Sequence, residues 1–405
     1  MSGGYLEVLR TAGALRVFVP ALVGRLSFAM VTLVLLFAVQ RSTDSFAIAG
    51  AAIGAFGLAN VIASPYRARF VDRRGQRFAL NSLAIAFAAG LSGIAALTAQ
   101  SGPPAGVLIG LAAVVGLFPP PLGASMRVLW GSITMPGALR TKAYSVDAVC
   151  EELLFTTGPL IAAAIVGAAS PTIGLLATAL VAVVGTLGMT SSSLSRGRVA
   201  VAASPRKRSR PLRQKGFVPV LIALLGVGVV LGTVEVVAPA VADTHGSVGL
   251  AGILLASFAA GSAVGGLLYG LRSWRSSLVN RLIILGTVMT MLCALLTTIG
   301  SFAVLGFGLA AVGFFLAPSL VTGYLLADDL TAAEVRTEAS SWINTAVNAG
   351  AAVAAAIVGF AVDAVEPRLG FIIGAGMALT LVVAASVPLL RNSRPAAVTD
   401  PVQSE

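Results

Sequence analysis

The chain has 405 residues, of which 57% are hydrophobic and only 11% charged, with a formal net charge of +11 and a mean hydropathy of +0.95. A soluble globular domain carries about a quarter charged residues, so this sequence cannot cover a water-facing surface. The basic excess sits in gaps between apolar runs, which marks it as charge at a membrane face and sets aside nucleic acid as a partner.

A helix needs about 20 residues to cross a bilayer. Runs of that length lie at residues 15–39, 45–66, 78–99, 105–126, 144–169 and 172–192, and after a polar break at 217–241, 247–271, 278–299, 302–327, 340–362 and 369–390. Barrel strands are shorter and alternate in polarity, which these runs do not. The reading is an all-α polytopic membrane protein of about twelve transmembrane helices. The first run is a full span without a small-residue cleavage site, so no signal peptide is expected. Cys150 and Cys293 fall inside apolar runs as packing residues, and His245, the single histidine, falls in a predicted loop. No metal site, cofactor motif or catalytic constellation is indicated.

The densest charge is the stretch 67–77, R-A-R-F-V-D-R-R-G-Q-R, a short link between the second and third runs. Placing it and both termini in the cytoplasm puts all 27 Lys and Arg residues inside except Arg25, Arg41 and Arg368. That places Arg127 and Arg140 among the loop charges of the cytoplasmic face. The expected setting is a bacterial plasma membrane, with the chain acting as a monomer.

Residues 193–216 are rich in Ser, Pro and Arg without an acidic residue, as a flexible basic linker is. Binding of anionic lipid headgroups is a secondary possibility for it. The linker separates a first six-helix bundle (1–192) from a second (217–392), followed by a tail (393–405). The halves resemble each other. Phe18-Val19-Pro20 recurs as Phe217-Val218-Pro219, Arg140-Thr141 as Arg336-Thr337, and the segment 162–167 as 354–359. Pro120 pairs with Pro318 at nearly the same offset. Four matches in the order a duplication demands indicate an internal repeat.

With twelve runs in two repeats, the stretch 67–77 resembles the link between helices two and three of the major facilitator superfamily, roughly G-x-L-x-D-R-x-G-R-[RK]. Ala68, Phe70 and Gln76 depart from it, while Asp72-Arg73-x-Gly75 and Arg77 match. A degenerate second copy, Gly266 to Arg275, lacks the aspartate. The resemblance implies two six-helix bundles about a central cavity, with Asp72 latching the cytoplasmic side. Asp72 among Arg67, Arg69, Arg73, Arg74 and Arg77 is charge-paired, and Gly75 permits the tight turn. Plain topogenic charge is the competing reading. Gly158-Pro159 resembles the Gly-Pro pair of the family's antiporter motif without its flanking glycines; a bend where small residues pack accounts for it equally.

Charge inside the apolar runs is costly, roughly 2.5–3.5 kcal/mol per group on insertion scales, so it should pair or line a wet cavity. The candidates are Arg25, Asp147, Glu151, Glu152 and Glu235. Asp147 and Glu151 share a helix face, with Glu152 turned about 100° away. Arg25 with Glu152 is the expected pair, since the run from Glu152 to Pro159 resembles that of bacterial drug-efflux members. A purely structural ion pair is the alternative. Asn344 and Asn348, at helical spacing, face the cavity or bond a neighbouring helix. The glycines Gly226, Gly228, Gly232, Gly261 and Gly265 read as close helix packing.

The expectation is secondary transport by alternating access: proton-coupled export of a small, somewhat apolar compound, with import of a metabolite as the alternative. A non-transporting receptor is the remaining reading outside transport, and an intramembrane enzyme finds no nucleophile–base pair. Glu152 and Asp147 would carry the proton, Arg25 would tune them and Asp72 would latch the gate.

Overall fold

The computed structural model describes residues 5–100, 103–196, 210–244, 248–364 and 366–392. The described residues are helical, with no strand among them. The first half holds α1 (Tyr5–Arg10), α2 (Ala14–Thr43), α3 (Phe46–Arg74), α4 (Gln76–Thr98), α5 (Ala105–Gly116), α6 (Leu122–Ile133), α7 (Ala138–Ala168), α8 (Pro171–Ser191) and α9 (Ser193–Arg196). The second holds α10 (Phe217–Thr244), α11 (Val248–Leu271), α12 (Leu278–Leu295), α13 (Phe302–Gly313), α14 (Leu316–Leu330), α15 (Arg336–Ala364) and α16 (Leu369–Asn392).

Ten helical segments among the described residues are long and apolar enough to cross a membrane. The 29-residue α3 and the pair α5–α6 complete twelve transits. The fourth transit is not one helix over 105–126 but two, broken after Gly116 and resuming at Leu122. Pro119, Pro120 and Pro121 cannot donate backbone N–H and their rings exclude the preceding helical turn, so the helix stops and restarts. The repeat preserves the device. The tenth transit breaks between α13 and α14, with Pro318 in the first turn of α14, where its missing N–H leaves nothing unpaired.

The charged stretch 67–77 is not a loop. Helix α3 runs on through Arg74, Gly75 turns the chain with φ at 81°, and α4 starts at Gln76. This is the one place where the link needs a left-handed residue, and glycine is there. Of the linker, Ser193–Arg196 is helical and Pro211–Arg213 forms a 3-10 turn, so both ends are anchored. Residues 197–209, His245 and the tail 393–405 lie outside the described residues.

Helix α10 packs against α15 and α16, and α2 against α8 and α7. These contacts are close because glycine removes the side chain between them. A Cβ on Gly228 of α10 would lie 2.0 Å from the Val347 carbonyl of α15, and one on Gly185 of α8 would lie 2.1 Å from the Gly24 nitrogen of α2; likewise one on Gly265 of α11 would lie 1.8 Å from the Phe314 carbonyl at the end of α13. The apolar core is in two parts. One, around Val34, Phe56, Phe87 and Leu91, belongs to the end of the first half remote from the charged stretch. The other runs through the second half and into the first, taking Phe18, Val71, Trp130 and Tyr144 with it. The halves are therefore joined through apolar packing at the charged end.

Candidate functional site

Arg25 (α2) and Arg127 (α6) meet the acidic face of α7 deep in the molecule. Arg25 Nη2 donates to Asp147 Oδ1 at 2.9 Å and lies 3.3 Å from the Gly123 carbonyl. Arg127 Nε sits 3.2 Å from Asp147 Oδ2, and its Nη2 donates to Glu151. The side chain of Asp147 is fully buried and that of Arg127 is 1% exposed, while that of Glu151 keeps 22%. Four charges of net zero thus share one site, which is how ionised groups persist away from water. The i, i+4 spacing of Asp147 and Glu151 lets one guanidinium bridge both.

Two expectations need correction here. Arg25 pairs with Asp147 rather than Glu152, because Glu152 lies around the helix from the face that meets α2. Arg127 is not a loop charge: α6 extends past the 105–126 run and carries it into the core. Four acidic residues on neighbouring spans with a single arginine among them were a charge deficit in the sequence. That deficit was the available signal for Arg127.

The network reaches the other half through Tyr324 (α14). The Arg127 guanidinium carbon stands 3.8 Å from the centroid of that ring, and the Tyr324 hydroxyl donates to Asn344 Oδ1 on α15. Asn348, one turn on, is exposed. Glu152 is partly buried and Glu235 is exposed on α10, and neither has an ion-pair partner among the described residues. Phe28 and Phe155 stack edge to face, with centroids 6.4 Å apart, and supply apolar wall beside the carboxylates.

At the charged end, Asp72 crosses to the second half. Its Oδ2 accepts from the Glu338 backbone N–H at 3.1 Å, and the Thr337 side chain also bonds it. Glu338 lies in the first turn of α15, where N–H groups lack intrahelical acceptors. A carboxylate of one half therefore caps a helix of the other and meets its positive end. The expected pairing of Asp72 with the arginines of its own stretch is not found: among the described ion pairs Asp72 has none, because its carboxylate turns to the α15 N-terminus. Arg69 donates to Glu338 Oε1 at 2.7 Å. Arg67 does something else. It is buried, donating to the carbonyls of Gly116 (2.9 Å) and Asn60 (3.2 Å), and so ties α3 to the end of α5. Arg73, Arg74 and Arg77 are exposed. Gln76, where the motif it resembles has a basic residue, is buried, donating to the Ser125 carbonyl and accepting from Ser195.

A second crossing centres on Asp328 (α14), which the sequence did not single out. Tyr144 donates to its Oδ2, Arg140 Nη1 lies 3.6 Å from Oδ2, and Arg336 Nε 3.7 Å from Oδ1. The two arginines are the repeat-related pair, and both converge on one carboxylate. Gly131 leaves room, since a Cβ there would lie 3.3 Å from Asp328 Oδ2. Gly158 serves packing too: its Cβ would fall 2.5 Å from that of Ala29, and α7 continues unbroken through Pro159.

No group of three or more metal-ligating side chains occurs among the described residues. Residues 220–404 match the sequence model of the Major Facilitator Superfamily. No curated protein matches the chain. Among solved structures, the human organic anion transporter MFSD10 superposes with a TM-score of 0.70 at 17% identity, over 95% of this chain and all of that one. A bacterial homologue of the iron transporter ferroportin, in an outward-facing state, superposes with a TM-score of 0.68 at 16% identity, over 94% of this chain and 99% of that one.

Proposed function

We propose that this chain, which has the major facilitator superfamily fold and the family's sequence pattern in its second half, is a secondary active transporter working by alternating access. The observation that carries this reading is the site itself: a buried charge network in the first half, stacked on a tyrosine of the second, between halves held together at one end. By the distribution of Lys and Arg that end faces the cytoplasm, so the described form is the one closed inward. Both termini then lie in the cytoplasm.

The coupling ion in this reading is the proton. Asp147 keeps two arginines, so its charge is matched whichever way the halves lean. Glu152 has no cation, and drying its surroundings with the charge in place would be costly. It is the group that must take a proton, or a cationic cargo, before the cavity can close over it. Glu235 on the opposite half shares that position, and Glu151, tied to Arg127, is placed to respond to it.

Export of a small, somewhat apolar compound fits the Phe28–Phe155 wall. Uptake of a metabolite is the second reading, favoured by Asn344 and Asn348 beside the cavity. The test is purified protein in proteoliposomes under an imposed pH gradient, against a panel spanning lipophilic drugs, organic anions and metal ions. Gradient-dependent movement of some member into proton-loaded vesicles supports the reading. Absence of both driven transport and counterflow across the panel returns the receptor alternative.

A further inference from the structure

We propose that helix α1, packed on the first half, is a clasp across the seam, its Tyr5 hydroxyl bonded to the second half, and that the charged end opens only when it releases. This rests on the alternating-access reading above.

Helix α1 leads into α2 through Gly13, whose φ of 79° folds the short helix back over the charged end. Val8 is fully buried and fixes it there, while Leu6 on its outer face is 64% exposed. The Tyr5 hydroxyl donates to the Leu267 carbonyl on α11, in the second half. Beside it stands Ser145 on α7, in the first half, fully buried and with no hydrogen-bond partner for its Oγ. The hydroxyl of a helix packed on α7 is thus bonded to α11, next to an open Ser145 hydroxyl on α7. Burial pushes the phenol up to about 12, so it keeps the proton it donates.

Gly270 explains how the three elements meet. A Cβ there would lie 2.4 Å from the Tyr5 hydroxyl and 2.8 Å from Ser145 Oγ. One turn earlier, a Cβ on Gly266 would lie 2.9 Å from Val149 Cγ2. These two glycines belong to the degenerate copy of the charged motif. Where the first copy offers a carboxylate, the second offers a bare helix face, and Tyr5 occupies it. Any separation of α7 from α11 at this end must break the Tyr5–Leu267 bond or pull α1 off α7.

The test reads the seam directly. Val149→Cys, on a buried position of α7 (7% exposed) facing Gly266, is placed in a Cys150→Ala/Cys293→Ala background. Its modification by an impermeant maleimide is followed from the cytoplasmic side of inverted vesicles. Tyr5→Phe keeps the ring and loses the donor; it should speed labelling about fivefold, the change expected for one net hydrogen bond. Ser145→Ala should act in the same direction with a smaller effect, and decides the matter if Tyr5→Phe inserts poorly. Leu6→Ala should label like the parent. If Tyr5→Phe and Ser145→Ala both label at the parental rate while Asp72→Asn labels faster, the clasp is wrong and alternating access stands. If Asp72→Asn is also unchanged, the gating reading beneath it has failed instead.

Discussion

The guanidinium of Arg127 lies over the ring of Tyr324 with 3.8 Å between its carbon and the ring centroid, one residue from each half. Arg127 is also the only cation that touches both Asp147 and Glu151 among the described ion pairs. In the alternating-access reading, a change in how Glu151 holds Arg127 acts directly on a contact between the halves.

Removing that cation leaves the buried Asp147 and the partly buried Glu151 with Arg25 alone. Arg127→Met should destabilise the protein by about 3–5 kcal/mol, the usual penalty for stranding a buried charge. Arg127→Met/Glu151→Met should recover a substantial part, because Asp147 retains Arg25. Melting curves of the purified variants in detergent check this. Equal loss in single and double variants would contradict the network.

Asp72→Asn keeps the size and an acceptor but loses the charge that meets the α15 N-terminus. Insertion should be normal, transport reduced at least tenfold, and the charged end more often open, as read by thiol accessibility. Full activity with unchanged accessibility would reduce Asp72 to a topological charge.

Asp328→Asn removes the carboxylate that Arg140, Arg336 and Tyr144 share. Two cations are then left facing each other, so this single change should loosen the charged end more than Arg336→Gln does. Gly131→Ala should have a milder effect in the same direction, by crowding Asp328. Accessibility of the Val149→Cys reporter orders the three; a flat series would remove Asp328 from the gate.

Glu152→Gln cannot titrate. It should abolish gradient-driven accumulation while leaving passive exchange measurable, whereas Glu151→Gln, which frees one arm of Arg127, should impair both. Driven transport that survives Glu152→Gln transfers the proton to Glu235 or Glu151. Reporters fused at Met1, at Arg206 and after Glu405 should read the cytoplasm and one near Asp243 the outside. A cytoplasmic reading at Asp243 overturns the orientation.

Much of this architecture is legible in the sequence because a bilayer imposes length and polarity on each transit. The apolar runs mark where helices lie, and Gly261 and Gly265 announce close packing that the structure contains. What escapes is set by contacts distant in sequence. Nothing local says that Asp147, rather than Glu152, faces Arg25, since five residues set the two about 140° apart around the helix and the neighbour decides which side is met. Arg127 and Arg67 look like loop charge until α6 and α3 are seen to carry them into the core. Asp328 looks like a helix-end acid until the other half arrives. The proline triplet, by contrast, was readable as a breaker, and the 105–126 run concealed it by being apolar on both sides.

Reciprocal opening of the two ends is read by spin-label distances in lipid nanodiscs. In the Cys150→Ala/Cys293→Ala background, Arg74→Cys with Glu334→Cys reports the charged end, and Arg41→Cys with Ser301→Cys the opposite one. Lowering the pH should redistribute both pairs in opposite senses, one lengthening as the other shortens, with Glu152→Gln insensitive to pH. Distances that stay single and fixed at both ends, or that lengthen together, would contradict alternating access in this protein.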